Sequence, residues 1–396
     1  MLRRVLRPVL MAGLGAVCLG FGYLLGLHQA AIDAPAPPPI SAEDQRAFGV
    51  VWEALGQIEH DYYRRTELDH QKLAEGAARG LVEAVGDPYT RLGPPGAPDP
   101  AAAALRGSTD GIGLRLMRAD GQLRVVAPLA DSPAERAGLA AGDMIVTIDG
   151  ADASQLTPAE AQTRLDGPRG TSVALELERG GVRQTLTLVR ERVTVAAVAG
   201  QLLPGDARLA YVRLPIFGDP TAGQLHQTLA PLLEAGARGV VLDLRGNPGG
   251  YLNSAVDVAS TFLRDSLILY QQADGQRTPY HTVGRPQVPD LPLAVLVDGG
   301  SASAAEIVAA ALHEHGRAVL IGQRTFGKGT VQETRTLDDA SELHITVAQW
   351  LTASGQSLQN QGLQPDLEVV PADGRDAPLE AAVAQLGAQT ATVPHA

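Results

Sequence analysis

The chain has 396 residues and a formal net charge of -12. That length allows two or three domains with real cores, and its wealth of Ala, Leu, Val and Gly over aromatics suits an α/β protein rather than a disordered one. The acidic balance excludes nucleic acid as the main partner, because phosphate contacts need a basic face, and the single cysteine, Cys18, excludes an internal disulfide or a cysteine metal cluster.

The N-terminus opens with Arg3, Arg4 and Arg7, followed by an uncharged, mostly apolar run from Val9 to Leu27 and the Pro-rich "APAPPPI". Such a run is just long enough to span a bilayer. Positive charge before it predicts a cytoplasmic N-terminus and an exported remainder. A cleavable signal peptide is the competing reading; without a clean small-x-small site after Leu27, an uncleaved anchor is expected. Ser41 to about Leu92 has apolar residues at helical spacing, as in Val50, Val51, Ala54, Leu55 and Ile58, and ends in the turn-rich "GDPYTRLGPPGAP". From about Gly107 to Val193 short β-like runs such as "GIGLRLM", "DMIVTIDG" and "SVALELERGG" alternate with two short helical stretches, which predicts a compact, partly open barrel. From about Leu209 strands and helices alternate. "GVVLDLRG" and "PLAVLVDGG" are nearly all apolar, so both faces must be covered, as in a crossover α/β core.

"GQRTFGKGTVQ", Gly322 to Gln332, nearly spells a phosphate-binding loop. That loop needs Ser or Thr after its lysine and a helix after its glycines. Here Gly329 follows Lys328, and the alternation in "TVQETRTLDDASELHITVAQWL" predicts a hairpin, so nucleotide hydrolysis is excluded. On an extended chain Thr330 and Gln332 share a face with Lys328. A lysine with no acid on its own face, near Phe326 and Val331, is a candidate for a depressed pKa and so for a general base. A solvated lysine at a turn satisfies the same residues. In "LVDGGSASAAEIVAAAL" a buried strand turns through two glycines into a helix at Ser301 and Ser303. A serine there can be activated beside helix amides. "SAAE" is equally a capping box, and local chemistry alone favours that simpler role. "DLRGNPGG", Asp243 to Gly250, could bring bare amides close to a reacting carbonyl. His313 and His315 point away from each other on a helix, so a shared metal is not expected.

Taken together these blocks resemble the C-terminal processing peptidases, or tail-specific proteases. Four match in order: "DYYRRTELDHQKLAEGAARGLVEAVGDPYTRL", "GIGLRL" through "GPRGTSVALELERGG", "GVVLDLRGNPGG", and "GSASAAEIVAAAL" through "GRAVLIGQRTFGKGTVQ". The resemblance implies an α/β, ClpP/crotonase-like crossover protease core with an inserted PDZ domain. It implies a serine endopeptidase with a dyad of Ser303 and Lys328, supported by Gln332. The oxyanion donors would be the amide of Ala304 and one of Gly249 or Gly250. No metal or nucleotide cofactor is needed. Two departures are visible: Ala305 stands where the family pattern has a third serine, and Asp166 stands before "GPRG", where relatives often carry a basic residue.

In the PDZ reading, the amides of Gly111, Ile112, Gly113 and Leu114 would hold a peptide carboxylate beside an added strand. The expected organisation is an anchor at 1–30, a linker at 31–42, a helical segment at 43–100, the PDZ domain at 107–193, the peptidase core at 194–372 and a helix with a tail at 373–396. Expected partners are protein substrates with apolar C-termini, the inner membrane through the N-terminal helix, and a second copy of the chain or an activating adaptor. The catalytic domain would face the periplasm or another extracytoplasmic space. A catalytically silent PDZ-bearing adaptor is the alternative from another class.

Overall fold

The computed structural model describes residues 40–96, 105–370 apart from 120, 130, 157 and 196, and 375–390. The expected anchor at 1–30 lies outside them; among the described residues no helix is long and apolar enough to cross a membrane. The chain divides into two compact units, 1–78 and 79–396.

The first unit is helical: α1 (Ala42–Ala47), α2 (Gly49–Asp61) and most of α3 (His70–Ala84). Ser41 caps α1 by accepting the Asp44 N–H at 3.0 Å. None of these helices has a buried residue, and Val50, Trp52 and Tyr63 stand exposed.

In the second unit the chain leaves α3 at Gly86, which takes a positive φ of 73°. "YTRL" is not helical. It ends in the short strand β1 (Arg91–Leu92), which pairs antiparallel with β18 (Glu342–Thr352), Arg91 opposite His344. No local pattern marks a two-residue strand whose partner lies at the other end of the chain.

The inserted domain is entered and left through a two-stranded ribbon, β2 (Ser108–Gly111) with β9 (Glu191–Thr194). Its sheet runs β3 (Leu114–Ala119), β4 (Gln122–Pro128), β5 (Met144–Ile148), β7 (Ser172–Arg179), β8 (Val182–Val189), with β6 (Ala151–Asp152) beside β5. The short α4 (Pro133–Arg136) and α5 (Pro158–Leu165) complete a core that includes Ile112, Leu123, Ile148, Leu165 and Leu175. Arg190 is buried and donates to the carbonyls of Arg164 and Leu165, satisfying the end of α5.

The C-terminal core is a six-stranded sheet, β10 (Ala199–Leu203), β11 (Asp206–Arg213), β12 (Gly239–Asp243), β15 (Leu293–Val297), β16 (Val319–Gly322), β19 (Leu367–Glu368), parallel from β11 onward. Strand alternation explains its all-apolar sequences. Val240 and Leu242 of β12 enter the large core with α6 (Thr221–Glu234), α7 (Leu252–Ser260) and α8 (Ala304–Glu314). Val241 points to the other face, where Ala382 and Leu386 of α9 (Ala377–Thr390) cover it. A second, antiparallel sheet joins β1, β18, β13 (Leu267–Ala273) and β14 (Gln276–His281), with β17 (Thr330–Thr336) hairpinned onto β18.

Candidate active site

Ser303 sits where β15 hands over to α8, with φ 53° and ψ -115°. That backbone region costs a non-glycine residue on the order of 1–3 kcal/mol, so the surroundings must impose it. They do. The Ser301 hydroxyl donates to the Leu244 carbonyl at 2.8 Å and accepts the Asp298 N–H at 3.0 Å. The Ala302 N–H donates to the Asn247 carbonyl, and the Phe326 N–H to the Ser301 carbonyl. Ser301 is thus a fully buried strut, and Ser303 is the serine that opens onto a cavity.

Lys328 lies in the loop between β16 and β17, and a single carboxylate fixes that loop to the serine turn. Glu306, fully buried in the first turn of α8, accepts the Ser303 N–H at 2.9 Å and the Lys328 N–H at 2.9 Å. It also accepts the Gly327 N–H at 2.7 Å and the Thr325 hydroxyl at 2.5 Å. The capping-box glutamate therefore does far more than cap: it ties the two backbones that carry the candidate nucleophile and base. From the other side, the Trp350 indole N–H donates to the Lys328 carbonyl at 2.9 Å.

Ser303, Lys328, Gln332, Gly249 and Gly250 line one cavity of about 390 Å³, together with Leu105, Tyr251, Ile307, Trp350, Arg91 and His344. The Lys328 side chain is half-buried, and burial, reinforced by the Arg91 charge, pushes its pKa below the ordinary lysine value, against a smaller pull from Asp87. The drying group is not Phe326, which is 55% exposed. Lys328 Nζ lies 4.9 Å from the centroid of the Tyr89 ring and is not hydrogen-bonded to Ser303 in this arrangement. Nor does Gln332 reach the lysine: its amide nitrogen donates to the hydroxyls of Thr330 and Thr346, at 2.8 and 3.2 Å. The two glycine amides also differ. The Gly249 N–H is taken by the Asn247 side-chain oxygen at 2.8 Å, whereas the N–H groups of Gly250 and Ala304 have no acceptor among the described residues.

A family model for peptidase family S41 matches residues 208–369, and a PDZ-domain model matches residues 124–179. The carboxy-terminal processing protease CtpA of Bacillus subtilis is 35% identical over 81% of this chain and 68% of its own length. A carboxyl-terminal-processing protease of Synechocystis is 37% identical over 78% of this chain and 73% of its own. The chain belongs to the C-terminal processing proteases of family S41. It is a serine-type peptidase. A solved Bacteroides fragilis structure assigned to the S41 proteases shares the fold, with a TM-score of 0.53 over 78% of this chain and 90% of that one, at 16% identity.

In the PDZ domain of this S41 peptidase, Gly111 ends the ribbon strand β2, and Ile112 and Leu114 are buried in the core. The Ile112 and Gly113 carbonyls accept from Ala134 and Leu129, while their N–H groups have no acceptor among the described residues. Strand β3 is an edge of its sheet, with α5 packed beside it. Asp166 ends up against the ribbon: a Cβ on Gly111 would lie 2.3 Å from its Oδ1, and burial raises its pKa. Sequence reasoning missed the contribution of Arg91, Leu105, His344 and Trp350 to the cavity, and the contact of Tyr89 with Lys328. One signal was available, because His344, Thr346, Ala348 and Trp350 alternate along β18 and His344 and Trp350 both reach the cavity. Tyr89 and Leu105 carried none, since their placement depends on distant pairings.

Proposed function

We propose that the chain cleaves exported proteins through a Ser303–Lys328 dyad. The observation that carries this is the shared cavity: a serine on a strained turn, a half-buried lysine with lowered pKa, and two unpaired amides beside it. Neutral Lys328 takes the Ser303 proton as Oγ attacks the peptide carbonyl, and the Gly250 and Ala304 amides receive the oxyanion. Lys328 then gives that proton to the leaving amine, and a water molecule hydrolyses the acyl-enzyme by the same route in reverse. Gln332 lines the same cavity.

The PDZ domain would select apolar C-terminal tails. Its edge strand β3 and the unpaired amides of Ile112 and Gly113 support strand addition with carboxylate capture. The apolar run after Arg3, Arg4 and Arg7 supports a single-pass anchor in the inner membrane with an extracytoplasmic catalytic domain. The exposed apolar side chains Val50, Val51, Trp52 and Ile58 of α2 offer a second copy or an activating adaptor a surface.

A casein digest tests the dyad: Ser303→Ala and Lys328→Ala should each lose essentially all cleavage, and Lys328→Arg should be equally dead, because a guanidinium stays charged. Full activity in either alanine variant removes the assignment. Peptides with apolar against charged C-terminal residues, compared by kcat/KM, test the selection, and fractionation with protease shaving of intact cells tests the anchor.

A further inference from the structure

The base of a serine–lysine dyad needs a place to be when it is charged, and the structure supplies one. The Tyr89 ring faces Lys328 Nζ at 4.9 Å from its centroid, a cation–π distance. The ring is held in position rather than hanging from a loop. The Tyr89 N–H donates to Asp87 Oδ1 at 3.2 Å, the Thr90 hydroxyl to Asp87 Oδ2 at 2.6 Å, and the Thr346 N–H of β18 to Thr90 Oγ1 at 3.2 Å. Strand β1 then locks the segment onto β18.

We propose that Tyr89 is a positioning residue that holds the ammonium form of Lys328 away from Ser303 and releases the neutral amine to it. The face of an aromatic ring attracts a cation and has little hold on a neutral amine. Loss of the proton therefore frees the side chain to reach Ser303. The charged and neutral forms of one lysine thus occupy two places in one cavity. Among the described residues, the other charged or titratable groups around it are Arg91 of β1, Asp87 of the preceding turn, Tyr251 just before α7, His344 of β18 and Glu306 of α8. Arg91 repels the cation and Asp87 attracts it; Glu306 spends its oxygens on the loop N–H groups and Thr325. The aromatic ring is the part of this set that distinguishes the two protonation states by position.

This rests on Lys328 being the dyad base. The test reads the acidic limb of kcat/KM against pH for the full chain and for Tyr89→Phe and Tyr89→Leu. Phe keeps the ring and should leave the limb in place. Leu keeps an apolar wall without the quadrupole, so the cation loses its partner. The limb should move to lower pH by about 0.4 to 1.5 units, the shift expected for one cation–π contact. A limb that stays put or moves to higher pH in Tyr89→Leu overturns the proposal.

The chain is suited to a direct measurement, since of its 32 Lys and Arg residues only Lys72 and Lys328 are lysines. In lysine-labelled Ser303→Ala protein, the ε-methylene protons of Lys328 should show an upfield ring-current shift at low pH. That shift should fade as the amine deprotonates and be missing in Tyr89→Leu. Its absence from the Ser303→Ala parent also overturns the proposal, whether or not the leucine variant folds. If instead Lys328→Ala still cleaves casein, the dyad itself has failed, a result distinct from an intact dyad whose limb ignores Tyr89.

Discussion

Glu306 shows how much a single residue holds at this site. Its carboxylate receives four donors, two of them the backbone amides of Ser303 and Lys328. Replacing it with leucine strands those donors in a buried place at about 1–3 kcal/mol each. Glu306→Leu should therefore lower unfolding stability by roughly 3 kcal/mol or more, read by urea denaturation; Glu306→Gln, with one acceptor oxygen left, should unfold less easily than that and still lose most of its turnover. The capping role of this glutamate was legible in "SAAE", because it is set by spacing along a helix. Its grip on Thr325, Gly327 and Lys328 was not, since those partners reach it only through the fold. The lysine carries its own prediction. Burial and Arg91 place its pKa below 10.5; in the proposed dyad the neutral form is the active one, so kcat/KM should rise with pH through that lowered value and level off before an exposed lysine would titrate.

At the scale of elements, the turn between β12 and α7 faces the turn between β15 and α8, and glycine is what lets them meet. Gly249 has a φ of 106°, and a Cβ there would lie 2.8 Å from Ser303 Cβ and 2.9 Å from the Ala302 carbonyl oxygen. Gly249→Ala should displace the serine turn and cost activity by about 100-fold or more, the loss typical when an oxyanion donor is misplaced, measured as kcat on a casein peptide. These elements were readable because their patterns are local: all-apolar strands for β12 and β15, each followed by a glycine turn into a helix, and period-two alternation for the β17–β18 hairpin. The segment "YTRL" reads in sequence as part of the turn-rich end of the helical region. Its strand character comes from pairing with β18, which contributes nothing to the sequence around Tyr89.

Within the second unit, ion pairs join elements far apart in the sequence. Arg179 donates twice to the buried Asp143, at 2.6 Å each, and closes the PDZ sheet. Arg245 bridges Asp243 at the end of β12 and Asp376 just before α9. The arginines hold the carboxyls of Asp143 and Asp376 below the ordinary value of 3.8. Because the folded pKa values are depressed, the stabilisation is present above that ordinary value and is lost as pH falls through the folded ones. Thermal unfolding should be steady near neutrality and drop below about pH 4, and Asp143→Asn should lower the melting temperature at pH 7 while weakening its fall in acid.

The pairing of β1 with β18 also fixes when the enzyme becomes dangerous. Tyr89 and Arg91 are synthesised early, ahead of the PDZ domain, yet the strand that seats them begins at Glu342. Until that late stretch has been translated and has folded back, Ser303 and Lys328 share no finished wall. A chain cut short before Glu342 cannot build it. That wall is finished only once β18 has paired with β1.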